Sequence, residues 1–202
     1  MTAGDGDDRD NGGDGNQGED VGDGNQGGQR VASAHHNAYD RQRRRVLWAL
    51  PTGLYLIGSR QGDALNLMTA NLVVQVCLEP KLVGVAVEAE SVTADLIRRG
   101  GGFSVSILAR QDKDVVRRFV KPVQDVERDT AGEVTAMSGH RVHEVGPARL
   151  PVLAHAAGYV ACAVVQQDPL GSHTLFIGEV GEVGGEPVDV LRMEDTRMHY
   201  GG

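Results

Sequence analysis

Phe103-Ser104-Val105-Ser106-Ile107 alternates strictly between apolar and small polar side chains. A period of two places Phe103, Val105 and Ile107 on one face of an extended segment and Ser104 and Ser106 on the other, which predicts a half-buried β-strand. Outward from it, residues 53–58, 72–78, 82–87, 103–108, 159–165 and 174–180 are short, β-branched-rich runs bounded by Gly, Pro or acidic residues, and each reads as a strand. Two helices interrupt them. One opens at Ser91 and stops at the glycines 100–102; the other runs over about 112–120 before Pro122, with Val115, Val116, Phe119 and Val120 on one face. A further helix is expected to start at Asp40 as its N-cap, to pass through Val46, Leu47 and Leu50, and to be halted by Pro51. The polar stretch 122–151 has weak periodicity and reads as loops with at most a short hairpin. Many short strands with few short helices make a mainly β fold, a barrel rather than a doubly wound sheet.

The charge is unevenly placed. The 202 residues carry a net charge of -8. Residues 1–30 hold eight acidic residues against Arg9 and Arg30, so this tail supplies -6 and the remainder is close to neutral. Rich in Gly, Asp, Asn and Gln, the tail has almost no apolar surface with which to offset the entropy of ordering. Residues 1–38 are therefore expected to be disordered and 39–202 to form one domain. Gly13-Asp14-Gly15-Asn16-Gln17-Gly18 recurs as Gly22-Asp23-Gly24-Asn25-Gln26-Gly27. Each copy spells a dinucleotide-binding fingerprint, but neither is flanked by the strand and helix that such a turn needs. A near-neutral folded region argues against a nucleic-acid partner. No apolar run approaches a membrane span and nothing resembles a secretory leader, so a cytoplasmic setting is expected. Cys77 and Cys162 sit in apolar runs and read as small buried hydrophobes.

Catalytic signatures are mostly lacking. The sequence contains no CxxC, phosphate loop, HExxH or GxSxG. His140 and His143 are three apart but have no companion ligands at suitable spacing, so no metal site is expected.

Asn66-Leu67-Met68-Thr69-Ala70-Asn71 resembles the signature strand of flavin reductases. Pro51-Thr52-Gly53 before it, Glu79-Pro80-Lys81-Leu82-Val83 after it, Gly102-Phe103, and Gly171-Ser172-His173-Thr174 near the end follow the family's order and spacing. The resemblance spans roughly residues 40–200. It implies an FMN-binding split β-barrel of Greek-key type, a homodimer with the flavin near the subunit interface, and hydride transfer from NAD(P)H to FMN, FAD or riboflavin. It further implies a separate monooxygenase that consumes the reduced flavin. A flavin-binding electron carrier or sensor, and a deazaflavin-dependent enzyme, stand as alternatives.

A flavin needs an anion site, hydrogen bonds along its ring edge, and a slot open to the donor. Ser91 and Thr93 open a helix whose free amides suit a phosphate, although Ser91 would equally serve as a plain cap. Asn71 and Gln75, four apart on one strand, are expected to face the same side and offer amides to the ring edge. The resemblance adds Thr52, Thr69 and the backbone of Ala70 as flavin contacts, Lys121 beside the phosphate arm, and His173 beside flavin and nicotinamide. Two departures stand out: Ser172 replaces the family's Asp before the histidine, and Ser106 stands where Asn is usual.

Overall fold

The computed structural model describes residues 24–186, 189–196 and 198, with side chains from His36 onward. The chain divides into two compact units, Met1–Val46 and Leu47–Gly202. In the first, helix α1 (Gly24–Trp48, continuing into the second unit) starts well before Asp40, which sits mid-helix. There Asp40 meets His36 Nε2 at 3.8 Å and Arg43 Nη2 at 3.3 Å, as neighbours one turn away do. The helix-forming Gln, Arg and Ala residues at 29–34 extend the helix beyond the expected cap. The first 23 residues of the expected disordered tail lie outside the described residues.

The second unit is mostly β. Its strands are β1 (Tyr55–Gln61), β2 (Ala64–Ala70), β3 (Val73–Cys77), β4 (Leu82–Glu88), β5 (Gly102–Ile107), β6 (Val126–Arg128), β7 (Val134–Met137), β8 (His140–Val145), β9 (Leu150–Leu153), β10 (Gly158–Leu170) and β11 (His173–Gly185). Seven of them form one sheet in the order β2-β1-β5-β10-β11-β4-β3. The two edge strands, β2 and β3, are separated in sequence by Asn71 and Leu72 alone. Laid flat at about 4.8 Å per strand, those edges would lie about 29 Å apart. Two linking residues reach only about 10 Å. The sheet must therefore curl until its edges nearly meet, with Asn71 and Leu72 at the seam. This is the barrel-like curvature that the pattern of short strands implies.

The stretch expected to be loops with a short hairpin, 122–151, holds the β7–β8 hairpin and goes further, contributing most of a second, four-stranded sheet, β6-β7-β8-β9. Its strands are short and its outward positions polar, which hid the period. The clue was Ser138-Gly139, both at positive φ (49° and 77°), a tight β7–β8 hairpin turn of the kind that such dipeptides favour. This sheet also corrects the expectation for β5. The strand is not half-buried, because Ser104 Oγ donates to Pro151 O at 2.6 Å and Ser106 Oγ accepts from Leu153 N at 3.0 Å. Phe103, Val105 and the two serines are all at most 2% exposed. Ser106, one of the two departures, thus lies in the packing between sheets.

Two helices pack on the curled sheet: α2 (Val92–Gly100) and α3 (Lys113–Arg118). Ser91 caps α2, with its Oγ accepting from Ala94 N at 3.1 Å, and Gly101 closes the helix in the left-handed region at φ 70°. Ala94 and Ile97 bury against Ile57, Val85, Phe103 and Phe176 in one core. A second core gathers Leu54, Leu56, Leu67, Val116, Phe119 and Met137. Among the described residues no helix is long and apolar enough to cross a membrane, and no group of three or more potential metal ligands is present.

Candidate functional site

The seam of the sheet opens into a cavity of about 220 Å³. The segment Thr69, Ala70, Asn71 and Leu72 forms one wall; Leu54, Met68, Ala86 and Val120 supply apolar floor, Glu88 a charged corner, and Met193 and Met198 the opposite side. Thr69 is fixed twice to the end of α3. Its N–H donates to Phe119 O at 2.9 Å and its Oγ1 to Val116 O at 2.7 Å. Asn71 is 7% exposed, and its Nδ2 reaches Thr52 Oγ1 at 3.4 Å. The methionines come from the C-terminal segment, which is stitched to the sheet by Leu54 N to Leu191 O at 3.0 Å, Leu191 N to Leu108 O at 2.8 Å and Met193 N to Thr52 O at 2.9 Å. Arg110 holds the same segment from outside. Its Nη1 donates to Asp189 Oδ2 at 2.9 Å, and its Nε and Nη2 to Asp195 Oδ1 at 3.0 and 2.7 Å.

The structure brings several of the sequence-derived residues together. Thr69, Ala70 and Asn71 line the cavity, and Thr52 is bonded to Asn71. The β11–β4 register sets His173 opposite Glu88, so the histidine lies at the charged corner, and Ser172 Oγ sits 2.9 Å from its Nδ1. Ser91 N donates to Glu88 O at 3.1 Å, which keeps the mouth of α2 at that corner as well. Lys121 is exposed and directly follows Val120 of the floor.

Two expected residues do not join them. Gln75 is not on one strand with Asn71, since β2 ends at Ala70 and β3 begins at Val73. Beyond the seam it is exposed beside a bulge, and its Nε2 turns back to Cys77 O at 3.2 Å. Thr93 is 0% exposed, and its Oγ1 accepts from Asn66 Nδ2 at 2.9 Å, so its hydroxyl serves the interior. Sequence reasoning missed Glu88, Met193 and Met198. For the methionines there was no signal to find, because they sit in a C-terminal stretch without periodicity.

An apolar slot edged by a few placed polar groups suits a planar aromatic ring with a polar rim. The family model for the flavin reductase like domain matches residues 47–200. This chain belongs to the flavin reductase-like family. It is 30% identical over 151 residues to the high molecular weight rubredoxin of Moorella thermoacetica, a match covering 71% of this chain and 62% of that protein, so the chain spans less than two thirds of that relative. It is 29% identical over 143 residues to the NADH-dependent FMN reductase AsuE2 of Streptomyces nodosus subsp. asukaensis, covering 69% of this chain and 72% of the other. The solved structure of the flavin reductase PheA2 superposes with a TM-score of 0.63 at 30% identity, covering 76% of this chain and 92% of that one.

The chemistry of the lining agrees with this membership. Met68 and the methionines give the cavity apolar surface, and Asn71 with the Thr69–Leu72 backbone gives it a polar edge.

Proposed function

We propose that this protein binds FMN or FAD in the seam cavity and catalyses reduction of flavin by NAD(P)H. The observation that carries the reading is the seam itself. A family signature segment, Thr69–Asn71, lines an apolar cavity at the point where the curled sheet leaves its edges unpaired. When bound, a flavin accepts hydride from a nicotinamide and passes the electrons on. The protein's share is positioning: Asn71, Thr52 and Thr69 orient the ring, Ser91 and Lys121 face the phosphate, and His173 borders the slot in which the donor stacks. Gln75 and Thr93 are left out of this set, because one faces solvent away from the cavity and the other is buried in the fold.

The reading extends to a homodimer. β3 is an edge strand, and Leu72 just before it and Val74 and Val76 on it are 40%, 59% and 46% exposed, an apolar row that starts at the cavity wall. A second copy covering that row would place the flavin near the interface. A separate monooxygenase is the natural consumer of reduced flavin released from such a site.

The test is the visible spectrum of the purified protein, followed by titration with FMN, FAD and riboflavin and by NADH and NADPH oxidation with each. Saturable flavin binding with turnover is the expected result. Bound flavin without nicotinamide oxidation would turn the reading to an electron carrier, and uptake of a deazaflavin alone to a deazaflavin enzyme. Absence of any binding would end it.

A further inference from the structure

The methionine wall has two sides. Met193 and Met198 line the seam cavity and also a second cavity of about 290 Å³ that is bounded by Leu50, Pro51 and Thr52. Both side chains are half-buried against the core that holds Leu54 and Leu191, so they are neither sealed in nor loose in solvent. Thr196 keeps the pair together, because its Oγ1 donates to Met193 O at 2.8 Å and accepts from Met198 N at 3.1 Å. The other described methionines differ. Met68 lines the seam cavity but not the second, and Met137 is 0% exposed in the core. A thioether sulfur keeps a nucleophilic lone pair at any pH, and peroxide converts it to a sulfoxide where it has access. The flavin chemistry supplies that oxidant: dioxygen that takes two electrons and two protons from reduced flavin becomes hydrogen peroxide.

We propose that Met193 and Met198 form an oxidation site, at which hydrogen peroxide from the protein's own turnover converts the methionine wall to sulfoxide and lowers flavin affinity. The inference rests on the seam cavity's binding a flavin. In the step a sulfur lone pair attacks one peroxide oxygen; the S–O bond forms, the O–O bond breaks, and the departing hydroxide takes up the proton that the transferred oxygen sheds. Sulfur loses two electrons and the peroxide gains them, so thioether plus hydrogen peroxide gives sulfoxide plus water. An apolar cavity wall thereby acquires a polar oxygen that a ligand covering it would have to desolvate. Two access routes to the same thioethers set them apart from Met68, and burial sets Met137 apart. The outcome is a brake: turnover that spills electrons to dioxygen weakens the binding of the flavin that spills them, until the sulfoxides are reduced again.

Trypsin cleaves after Arg192 and Arg197, so Met193 and Met198 report on separate peptides, and Met137 reports on a third between Arg128 and Arg141. Full-length protein turning over NAD(P)H and FMN in air should gain about 16 Da, one oxygen, on each of the first two peptides while the Met137 peptide stays unmodified. Hydrogen peroxide added to the protein without cofactors should place the same oxygens, and the FMN Kd should then rise about tenfold. Methionine sulfoxide reductases for both sulfoxide epimers should remove the oxygens and restore the Kd. The double variant Met193→Leu, Met198→Leu, apolar and of similar volume but inert to peroxide, should hold its own FMN Kd through the same exposure. The site is overturned if turnover in air leaves both thioethers intact, if Met137 is oxidised as fast as they are, if their oxidation leaves the FMN Kd unmoved, or if the double variant loses affinity as the parent does. Failure of the underlying flavin reading looks different, because the untreated protein would then bind no FMN while added peroxide would still mark the two methionines.

Discussion

Asn66 Nδ2 donates to Thr93 Oγ1 across 2.9 Å, and the same side chain's Oδ1 accepts from Val123 N at 2.9 Å. One buried amide thereby ties β2, the first turn of α2 and the chain leaving α3. Asn66→Ala should strand the buried Thr93 hydroxyl and the half-buried Val123 N–H and cost about 2–4 kcal/mol of stability. Thr93→Val should cost less, and the double variant less than the sum, because the two residues act as one unit. Urea unfolding of the four proteins measures this; strict additivity would remove the latch.

Ser91 separates a cap from an anion site. As a cap alone, Ser91→Ala should cost about 1 kcal/mol and lower FMN and riboflavin affinity equally. As a phosphate ligand as well, it should weaken FMN more than riboflavin, which lacks the phosphate, and Lys121→Met should repeat that selectivity without the loss in stability. Isothermal titration with both flavins decides, and equal losses would leave the serine purely structural.

His173 is expected to act on turnover rather than on binding. His173→Ala should lower kcat by at least tenfold, with flavin Kd changed less than threefold, roughly the range for loss of one positioned polar group. Its neighbour Ser172 brings an oxygen 2.9 Å from Nδ1. Ser172→Asp, which restores the family's carboxylate, should change kcat while leaving flavin Kd within about threefold. Full activity in His173→Ala would take the histidine out of the site.

Local features were readable in the chain and long-range ones were not. Ser91 as a cap, the glycine stop after α2, the core face of β5 and the apolar face of α3 each depend on neighbours a few residues away. The curl of the sheet depends on β2 and β3 lying at opposite edges, and no window of sequence contains that fact. The pairing of Asn71 with Gln75 failed for the same reason: four residues apart implies a shared face only along an unbroken strand, and the seam breaks it. Met193 and Met198 were invisible because their placement comes from Arg110 and from backbone bonds to Thr52 and Leu108, far off in sequence.

Gly178 shows how tightly the core under the sheet is closed. A Cβ added there would lie 2.6 Å from Cys162 Cβ and 2.7 Å from Phe103 Cε1, both buried. Gly178→Ala should cost about 1–3 kcal/mol through overpacking. The thiol of Cys162, pushed up to about 12 by burial, supplies a second readout. In the native protein it should resist thiol reagents at neutral pH, and Gly178→Ala should speed its labelling by loosening the packing. Labelling as slow as in the parent protein, with an unchanged melting temperature, would contradict the packing account.

The clamp on the C-terminal segment makes the methionine wall sensitive to acid. Hydrogen bonds from Arg110, then one from the Arg192 N–H, hold the Asp195 carboxyl below the usual carboxylate range, while Asp195 and Asp189 raise the Arg110 guanidinium. A carboxyl whose folded pKa is depressed contributes stability that is fully present above its unfolded value of about 3.9 and is lost as pH falls through the folded one. Arg110→Met deletes that contribution. The variant should melt below the parent protein at neutral pH, the gap should narrow as pH drops through and below the carboxylate range, and flavin affinity should fall at neutral pH because Met193 and Met198 lose their anchor. Salt should narrow the gap too, since the pair is exposed and screened. Melting curves and flavin titrations from pH 7 down to about pH 3 test the sequence of effects, a range chosen to bracket the carboxylate values. A gap that stays constant with pH would mean that Arg110 supports the wall by packing alone, and no gap at any pH would mean that the segment holds itself in place.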